Sequence, residues 1–91
     1  MAYRVLVEDE AAREIRKFPK EVQGRVVAKA EALAKDPRPS GCQKLKGMED
    51  LYRVRVGDYR IVYRIEDEVL LVLVVSVGDR GGVYERLRRK R

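Results

Sequence analysis

The stretch "LYRVRVGDYRIVYRI", residues 51–65, constrains the fold more than any other part of the chain. Apolar and polar side chains alternate on both sides of Gly57-Asp58, which is the period of two β-strands joined by a tight turn. Glycine in the first central position suits a type II′ turn of two residues. The pattern therefore predicts a hairpin in which Arg55 lies directly across from Arg60.

Under this register the predicted hairpin has one apolar, aromatic face and one basic face. Tyr52, Tyr59 and Tyr63 belong to the apolar face, whereas Arg53 lies opposite Val62 on the basic face. Like charges that face each other across a strand pair reduce stability. A bound anion would compensate the repulsion between the arginines on the basic face.

The run "VLLVLVVSV", residues 69–77, is apolar at nearly every position. A strand with this composition is covered on both faces and lies inside a sheet. If it runs antiparallel to the preceding strand, its end reaches the end of the sheet that holds Arg55 and Arg60. Arg80 would then join that pair, and Tyr84 could reach the same corner if "GGVY" doubles back.

The first half of the chain predicts one strand followed by two helices. "YRVLVE", residues 3–8, has strand character, and Asp9 is placed to cap a helix that ends before Pro19. A second helix from Pro19 to Lys35 ends at the loop "KDPRPSG". The predicted fold is α+β, with an N-terminal strand and a helical hairpin packed on a small, mostly antiparallel four-stranded sheet. The segment "VYERLRRKR", residues 83–91, is compatible with a further helix.

Length and charge limit the organisation and the partners. A chain of 91 residues forms one domain, residues 1–91, and a net charge of +6 with a pI near 9.7 favours an anionic partner such as a nucleic acid backbone. A densely charged surface of the thermophile type is the alternative reading of that charge, since 40% of the residues are charged.

Cofactor and membrane chemistry find no support in the sequence. The chain has no histidine and one cysteine, Cys42, so neither a zinc site nor an internal disulfide is expected, and no cofactor or metal is predicted. We interpret Cys42 as a bystander. No signal-peptide core or membrane-spanning run occurs, which predicts a cytoplasmic protein without a membrane partner.

A cluster of arginines at one end of a sheet suits phosphate, because guanidinium groups match phosphate oxygens in a bidentate fashion. The alternative is structural: the side chains extend into solvent or pair with acidic residues, which are Glu66, Asp67, Glu68 and Asp79. A group of arginines on one face favours the functional interpretation.

Three sequence elements carry a family resemblance: "KLKG", "YRVRVGDYRIVY", and "SVGDR" followed by "VY". With the N-terminal "AYRVLVEDEAAREIRKFPKEV", they resemble the RelE group of bacterial toxin endoribonucleases within the RelE/ParE superfamily. The resemblance implies a toxin of a type II toxin-antitoxin system. Such a toxin cleaves mRNA in the ribosomal decoding site without a metal and is neutralised by a cognate antitoxin.

The resemblance also assigns residues. The family's basic and tyrosine positions fall on the predicted catalytic residues Arg53, Arg55, Arg60, Arg80 and Tyr84. The first-strand pair is often lysine in the family, and arginine cannot act as a general base because its pKa is above about 12. Tyr84 is therefore the candidate proton acceptor; stacking on a base is its alternative role.

Further basic residues are predicted to bind RNA of the ribosome or the message. They are Lys44, Lys46, Arg64, Arg86, Arg88 and Arg89, with Lys90 and Arg91 at the end of the tail. A frayed basic terminus is the alternative for the tail. Two other functions remain open: a ParE-type toxin that binds DNA gyrase, and a non-catalytic RNA-binding module. The antitoxin is expected on the apolar and basic surface between the helices and the sheet edge.

Overall fold

The computed structural model describes residues 2–47 and 50–79 and confirms the α+β class. These segments contain two α-helices and a five-stranded sheet, and both helices follow the first strand and precede the other four. The elements in chain order are β1 (Arg4–Val7), α1 (Asp9–Arg16), α2 (Lys20–Ala32), β2 (Gln43–Lys44), β3 (Leu51–Val56), β4 (Tyr59–Glu66) and β5 (Leu71–Asp79), with a 3₁₀ turn at Asp67–Val69 before β5. Across the described segments, no helix has the length and apolar character needed to cross a membrane.

The sheet has the order β1-β5-β4-β3-β2, with β1 parallel to β5 and the other pairs antiparallel. The prediction of four strands was wrong, because β2 was missed. It contains two residues in a region without periodicity. Gln43 pairs with Arg53 and Lys44 with Tyr52, and the backbone N–H of Leu45 donates to the carbonyl of Leu51 at 2.9 Å.

The helix boundaries differ by a few residues from those that the sequence suggested. Helix α1 starts at Asp9, but the residue that precedes it is Glu8, which makes no side-chain capping bond. Asp9 instead lies in the first turn, where its charge favours the helix dipole. Pro19 likewise precedes α2, which ends at Ala32 rather than at Lys35.

The predicted hairpin is confirmed in its register. Arg55 pairs with Arg60, and the turn residue Gly57 has a φ of +60°, as the first position of a type II′ turn requires. The run after it forms β5, which lies between β1 and β4 as predicted for an interior strand. Its start is shifted to Leu71 because Leu70 adopts a left-handed φ of +52°.

A β-bulge interrupts the pairing of β4 with β5. Tyr63 pairs with Val74, but the preceding residue Val62 pairs with Ser76, so Val75 is an extra residue in β5. The extra residue changes the alternation of side chains along the strand. It lets Val77 join the buried core, where its exposed fraction is 0%.

The main core lies between the sheet and the two helices. Its buried members from the helices and the following turn are Ala11, Val26, Ala30 and Leu33, and those from the sheet are Val54, Ile61, Tyr63, Ile65, Val72, Val74 and Val77. The opposite face of the sheet has a smaller cluster of buried side chains, Leu51, Val62 and Val75. The helical hairpin therefore covers one face, and the arginine side chains belong to the other.

Candidate functional site

The centre of the candidate site is a pair of arginines next to the hairpin turn. Arg55 on β3 lies directly across from Arg60 on β4, at a Cβ separation of about 4.5–5.5 Å for such a pair. Arg55 is exposed, whereas Arg60 is half-buried. Within residues 2–47 and 50–79, neither side chain forms an ion pair. Two positive charges are thus held together by the sheet register.

Arg60 contains a buried nitrogen without a hydrogen-bond partner among the described residues. This atom is its Nε, which has almost no solvent contact. The residue across from Arg60 on β5 is Gly78, which has no side chain to restrict the space beside the guanidinium. A desolvated N–H group without an acceptor is unfavourable. An anionic oxygen at this position would provide the missing acceptor and neutralise the charge.

Arg53 extends the basic face along β3. It lies two residues from Arg55, a distance of about 7 Å along the strand, and pairs with Val62 as predicted. Its Nη2 atom donates a hydrogen bond to the Oε1 atom of Gln43 on β2. Gln43 was missed in the sequence because the segment around it has no periodic pattern.

An open groove continues from Arg53 along the edge of the sheet. It has a volume of about 600 Å³ and is lined by Gln43, Lys44, Leu45, Lys46 and Arg53. The groove combines cationic and amide groups with an apolar contact from a leucine. Two of the predicted RNA-binding lysines therefore lie beside a predicted catalytic arginine.

Arg64 shares this face but lies apart from the arginine pair. It is exposed and pairs with Leu51 and Leu73, four residues along β4 from Arg60. Four strand residues span about 13 Å. Arg64 thus lies at the edge of the arginine cluster, and its role in RNA binding stays a prediction.

Two of the four acidic residues considered as structural partners, Asp67 and Glu66, lie away from the arginine pair. Asp67 accepts two hydrogen bonds from Arg38, at 3.2 and 2.9 Å, and one from the Tyr3 hydroxyl at 2.6 Å. The Arg38 guanidinium, followed by Tyr3, lowers the pKa of Asp67 to about 2, while the bond to Asp67 raises the pKa of Tyr3. Glu66 lies six residues from Arg60 along β4, which is about 20 Å.

The tyrosines of the hairpin face the helices, as predicted. Tyr63 is fully buried and donates to the carbonyl of Pro37 at 2.8 Å, and its burial raises its pKa. Tyr52 stacks on Tyr63 at 6.1 Å between ring centroids, and Tyr59 contacts Phe18 at 4.6 Å. In strands β3 and β4, these rings are therefore placed for core packing and not for base stacking on the arginine face.

A second groove lies on the helix side, next to the edge strand β1. It has a volume of about 230 Å³ and is lined mainly by aliphatic side chains, which are Val5, Val7, Ile15, Val26, Val27, Ala30, Ile61 and Val74, with Glu31. Val27 on α2 is 47% exposed, and Val7 on β1 is 39% exposed. This surface lies between the helices and the sheet edge, on the opposite face from the arginines.

Comparisons with known proteins identify the family. The model of a family described as the ParE toxin of the type II toxin-antitoxin system parDE matches residues 5–84. The mRNA interferase toxin RelE of Escherichia coli is 35% identical over 82 residues, which are 88% of this chain and 85% of that protein. This chain is a RelE family toxin of the RelE/ParE superfamily.

Solved structures support the same assignment. A double arginine-to-alanine mutant of E. coli toxin RelE in the free state superposes with a TM-score of 0.81 at 32% identity, over 99% of this chain and 98% of that one. The intact E. coli RelBE toxin-antitoxin complex matches with a TM-score of 0.75 at 33% identity, over 87% and 98% of the two chains. The chain is thus a type II toxin, and an antitoxin is its expected partner.

The predicted C-terminal site residues of this RelE family toxin lie outside the described residues. They are Arg80, Tyr84, Arg86, Arg88 and Arg89, with Lys90, Arg91 and the proposed helix at 83–91. The register nevertheless confirms that β5 ends beside the arginine pair, since Gly78 pairs with Arg60 and Asp79 with Tyr59. The described part of the predicted site therefore consists of Arg53, Arg55 and Arg60.

Proposed function

We propose that this RelE family toxin is a ribosome-dependent endoribonuclease that cleaves mRNA without a metal ion. The observation that carries the proposal is the facing pair Arg55 and Arg60, with the buried Nε of Arg60 that has no hydrogen-bond partner in the described part of the chain. A phosphodiester oxygen satisfies both requirements of this site, because it is a strong acceptor and a negative charge. The E. coli relative that carries the name mRNA interferase supports the same activity.

The reaction uses the nucleophile that RNA already contains. The 2′-hydroxyl attacks the adjacent phosphorus, the P–O5′ bond breaks, and the products are a 2′,3′-cyclic phosphate and a 5′-hydroxyl. The proton of the 2′-hydroxyl passes to a base, and the leaving 5′-oxygen takes up a proton. Negative charge increases on the phosphoryl oxygens in the transition state, where Arg53, Arg55 and Arg60 would stabilise it.

The proton transfers are assigned to residues that follow β5 in the sequence. Tyr84 would accept the 2′-hydroxyl proton, because guanidinium groups in a site favour the ionised form of a tyrosine there. Arg80 would stabilise or help protonate the leaving oxygen. A tyrosine is a weak base at neutral pH, and general acid and base catalysis contribute about 10² to 10⁴-fold each. The enzyme should therefore be slow on free RNA and depend on the ribosome to orient the message.

Basic residues beside the arginines would hold the ribosome. Lys44 and Lys46 line the groove next to Arg53, and the tail arginines would add further contacts to ribosomal RNA. Lysine binds phosphate through its charge and without demanding a sequence. We therefore assign these lysines to binding and the arginine cluster to chemistry.

The test is to incubate the protein with translating ribosomes and to map the ends of the mRNA. Cleavage within the decoding site, with 2′,3′-cyclic phosphate ends, is expected for the wild-type protein. Arg60→Ala should lower single-turnover cleavage by about 10² to 10³-fold, as loss of one donor to developing charge does elsewhere. Arg13→Ala is the matched control, since Arg13 is an exposed arginine on α1. Intact mRNA during active translation would refute the proposal.

The antitoxin is proposed to occupy the groove beside β1. An amphipathic segment that places aliphatic side chains against Val7 and Val27 would cover the exposed apolar surface. Among the described strands β1 lies at the edge of the sheet, where it could accept an added strand. The solved neighbour that is a toxin-antitoxin complex supports an antitoxin as a partner of this chain. Val27→Asp should weaken antitoxin binding at least tenfold and leave cleavage unchanged; unaltered binding would exclude this surface.

Gyrase binding is the alternative function, because the matching family model is described as a ParE toxin. The arginine cluster separates the two activities. If Arg60→Ala abolishes toxicity together with mRNA cleavage, the toxin acts on RNA. If toxicity persists in that variant and DNA supercoiling is inhibited, the toxin acts on gyrase.

A further inference from the structure

Helix α2 contains a glycine that its own packing does not require. Gly24 lies in the interior of the helix, where glycine is less favourable than alanine. Its φ is not positive, and a Cβ atom at this position would meet no atom of the described residues within 4 Å, apart from its neighbours in the helix. A residue without a side chain is useful where another backbone approaches closely. Gly24 therefore points to a contact outside this part of the chain.

The surface around Gly24 is an open groove on the side of α2 that faces away from the core. It has a volume of about 440 Å³, and we call it the outer face of α2. The residues that line it are Lys20, Gln23, Gly24, Val27, Ala28 and Glu31. All of them except the half-buried Gln23 are exposed. An exposed valine next to a glycine gives this face an apolar centre.

The outer face of α2 is complementary to itself. Lys20, Gly24, Val27 and Glu31 follow each other at intervals of four, three and four residues, which is the spacing of a seam between two helices. A two-fold axis between residues 25 and 26 would pair each residue with the one at equal distance on the other side. In two antiparallel copies of α2, Val27 of one copy then lies against Gly24 of the other, and Lys20 against Glu31.

The charges at the two ends of this seam support the same arrangement. Lys20 and Glu31 are exposed, and neither belongs to an ion pair among the residues that the structure describes. The antiparallel arrangement brings them together twice, as contacts of opposite charge. A parallel arrangement would instead place lysine against lysine and glutamate against glutamate, which is unfavourable. The charge pattern therefore favours the antiparallel pair.

We propose that the outer face of α2 binds a second copy of this chain and forms a two-fold symmetric dimer. Gly24 lets the two helices approach closely, Val27 provides the apolar contact, and the two charged residues fix the register. A contact limited to one helix from each copy is small, and each copy has a net charge of +6. The dimer is therefore weak and forms at high protein concentration. The proposal does not depend on mRNA cleavage.

The dimer belongs to the toxin without its antitoxin. Val27 and Glu31 also line the groove beside β1 in which the antitoxin is proposed to bind. Because one side chain cannot be covered by two occupants, a second copy would compete with the antitoxin. Self-association is therefore expected, and measured, for the toxin chain alone.

The first experiment measures the mass of the toxin chain by sedimentation equilibrium. The apparent mass should rise from one copy toward two as the concentration increases from about 10 μM to about 1 mM, as for a weak complex with a small interface. Val27→Asp should abolish this increase. Val69→Asp is the matched control, because Val69 is an exposed valine outside α2. A mass of one copy at every concentration, or equal association of Val27→Asp, would overturn the proposal.

Reversed charges test the antiparallel register. Lys20→Glu and Glu31→Lys should each weaken self-association by about 5 to 30-fold, because two attractive contacts become repulsive. An equimolar mixture of these two variants should associate as the wild-type protein does, since opposite charges again meet at both ends. Arg13→Glu, an exposed change on α1 with the same effect on net charge as Lys20→Glu, should have little effect. A mixture that stays monomeric would refute the two-fold arrangement.

The Gly24→Gln variant separates association from folding. Glutamine favours a helix more than glycine does, so the Tm of the dilute, monomeric protein should rise by about 2–5 °C. The longer side chain should keep the two helices apart and weaken self-association at least tenfold. Thermal unfolding and sedimentation of the same samples provide both values. Unchanged self-association in Gly24→Gln would show that no helix approaches Gly24 and would overturn the proposal.

Discussion

Replacing Arg60 by methionine (Arg60→Met) should make the folded protein more stable while it removes the proposed cleavage. Methionine retains a flexible apolar stem but lacks the guanidinium. The free protein would no longer contain a buried Nε that lies next to a second positive charge and lacks a partner within residues 2–47 and 50–79. A site prepared for an anion is expected to reduce stability when the anion is absent, and this substitution measures by how much.

The magnitude follows from two contributions. A buried N–H without an acceptor reduces stability by about 1–3 kcal/mol. Repulsion from Arg55 adds less than about 1 kcal/mol, because Arg55 is exposed and solvent screens its charge. Some packing of the arginine stem is lost, so we expect a net increase of about 1–2 kcal/mol in the free energy of unfolding. For a domain of this size each kcal/mol raises Tm by about 4–8 °C.

Urea and thermal unfolding followed by circular dichroism, in a buffer without phosphate or sulfate, provide the measurement. Arg64→Met is the control, because Arg64 is an exposed arginine on the same face, and its replacement should change stability by less than about 0.5 kcal/mol. A decrease in stability for Arg60→Met would refute the reasoning. It would show that the Arg60 guanidinium contributes favourably to the free protein.

Added phosphate provides a second test of the explanation that the empty anion site reduces stability. A ligand that binds only the folded state stabilises it by RT ln(1 + [L]/Kd), or about 2.7 kcal/mol at a concentration 100 times Kd. Phosphate should therefore raise the Tm of the wild-type protein. The increase should be smaller in Arg60→Met, and equal increases in the two proteins would place phosphate binding elsewhere.

Three further predictions concern the rest of the molecule. The folded-state pKa of Asp67 is held at about 2, below its unfolded value, so its contribution to stability is present above about pH 4 and is lost as pH falls toward 2. In acid titrations of the free energy of unfolding, Asp67→Asn should therefore show a weaker dependence on pH between about 4 and 2. Tyr63→Phe leaves the Pro37 carbonyl without its donor and should destabilise the protein by about 1–2 kcal/mol in urea unfolding, with cleavage retained at permissive temperature. Lys44→Ala should weaken ribosome binding and reduce its dependence on salt concentration, while the cleavage rate of bound mRNA stays unchanged in single-turnover assays.

The sequence predicted the arginine pair because two strong local signals coincide there. The Gly57-Asp58 turn fixes the hairpin register, and the alternation of side chains then assigns each residue to a face. The covering of one face by two helices followed from apolar spacing in the same way. Where a periodic pattern extends over many residues and the turn between two strands is short, the local sequence determines which residues pair.

Features built from distant or very short segments could not be predicted. Strand β2 has two residues and exists through its pairing with β3, so neither it nor the bond from Arg53 to Gln43 leaves a periodic signal. The contact between Arg38 and Asp67 joins residues 29 positions apart through side chains alone. Asp67 was considered as a partner for the arginine cluster, but an arginine in the loop after α2 holds it instead.

The bulge in β5 gives the strand a tolerance for changes in length. Deletion of Val75 would restore a regular ladder, and Gly78 would still lie opposite Arg60 because the pairing beyond the bulge already has that register. Homologous chains can therefore gain or lose one residue at this point without moving the arginine site. Insertions elsewhere in β5 would shift the alternation and turn Val77 out of the core. The irregularity thus marks the position where the strand can vary during evolution while the site stays in place.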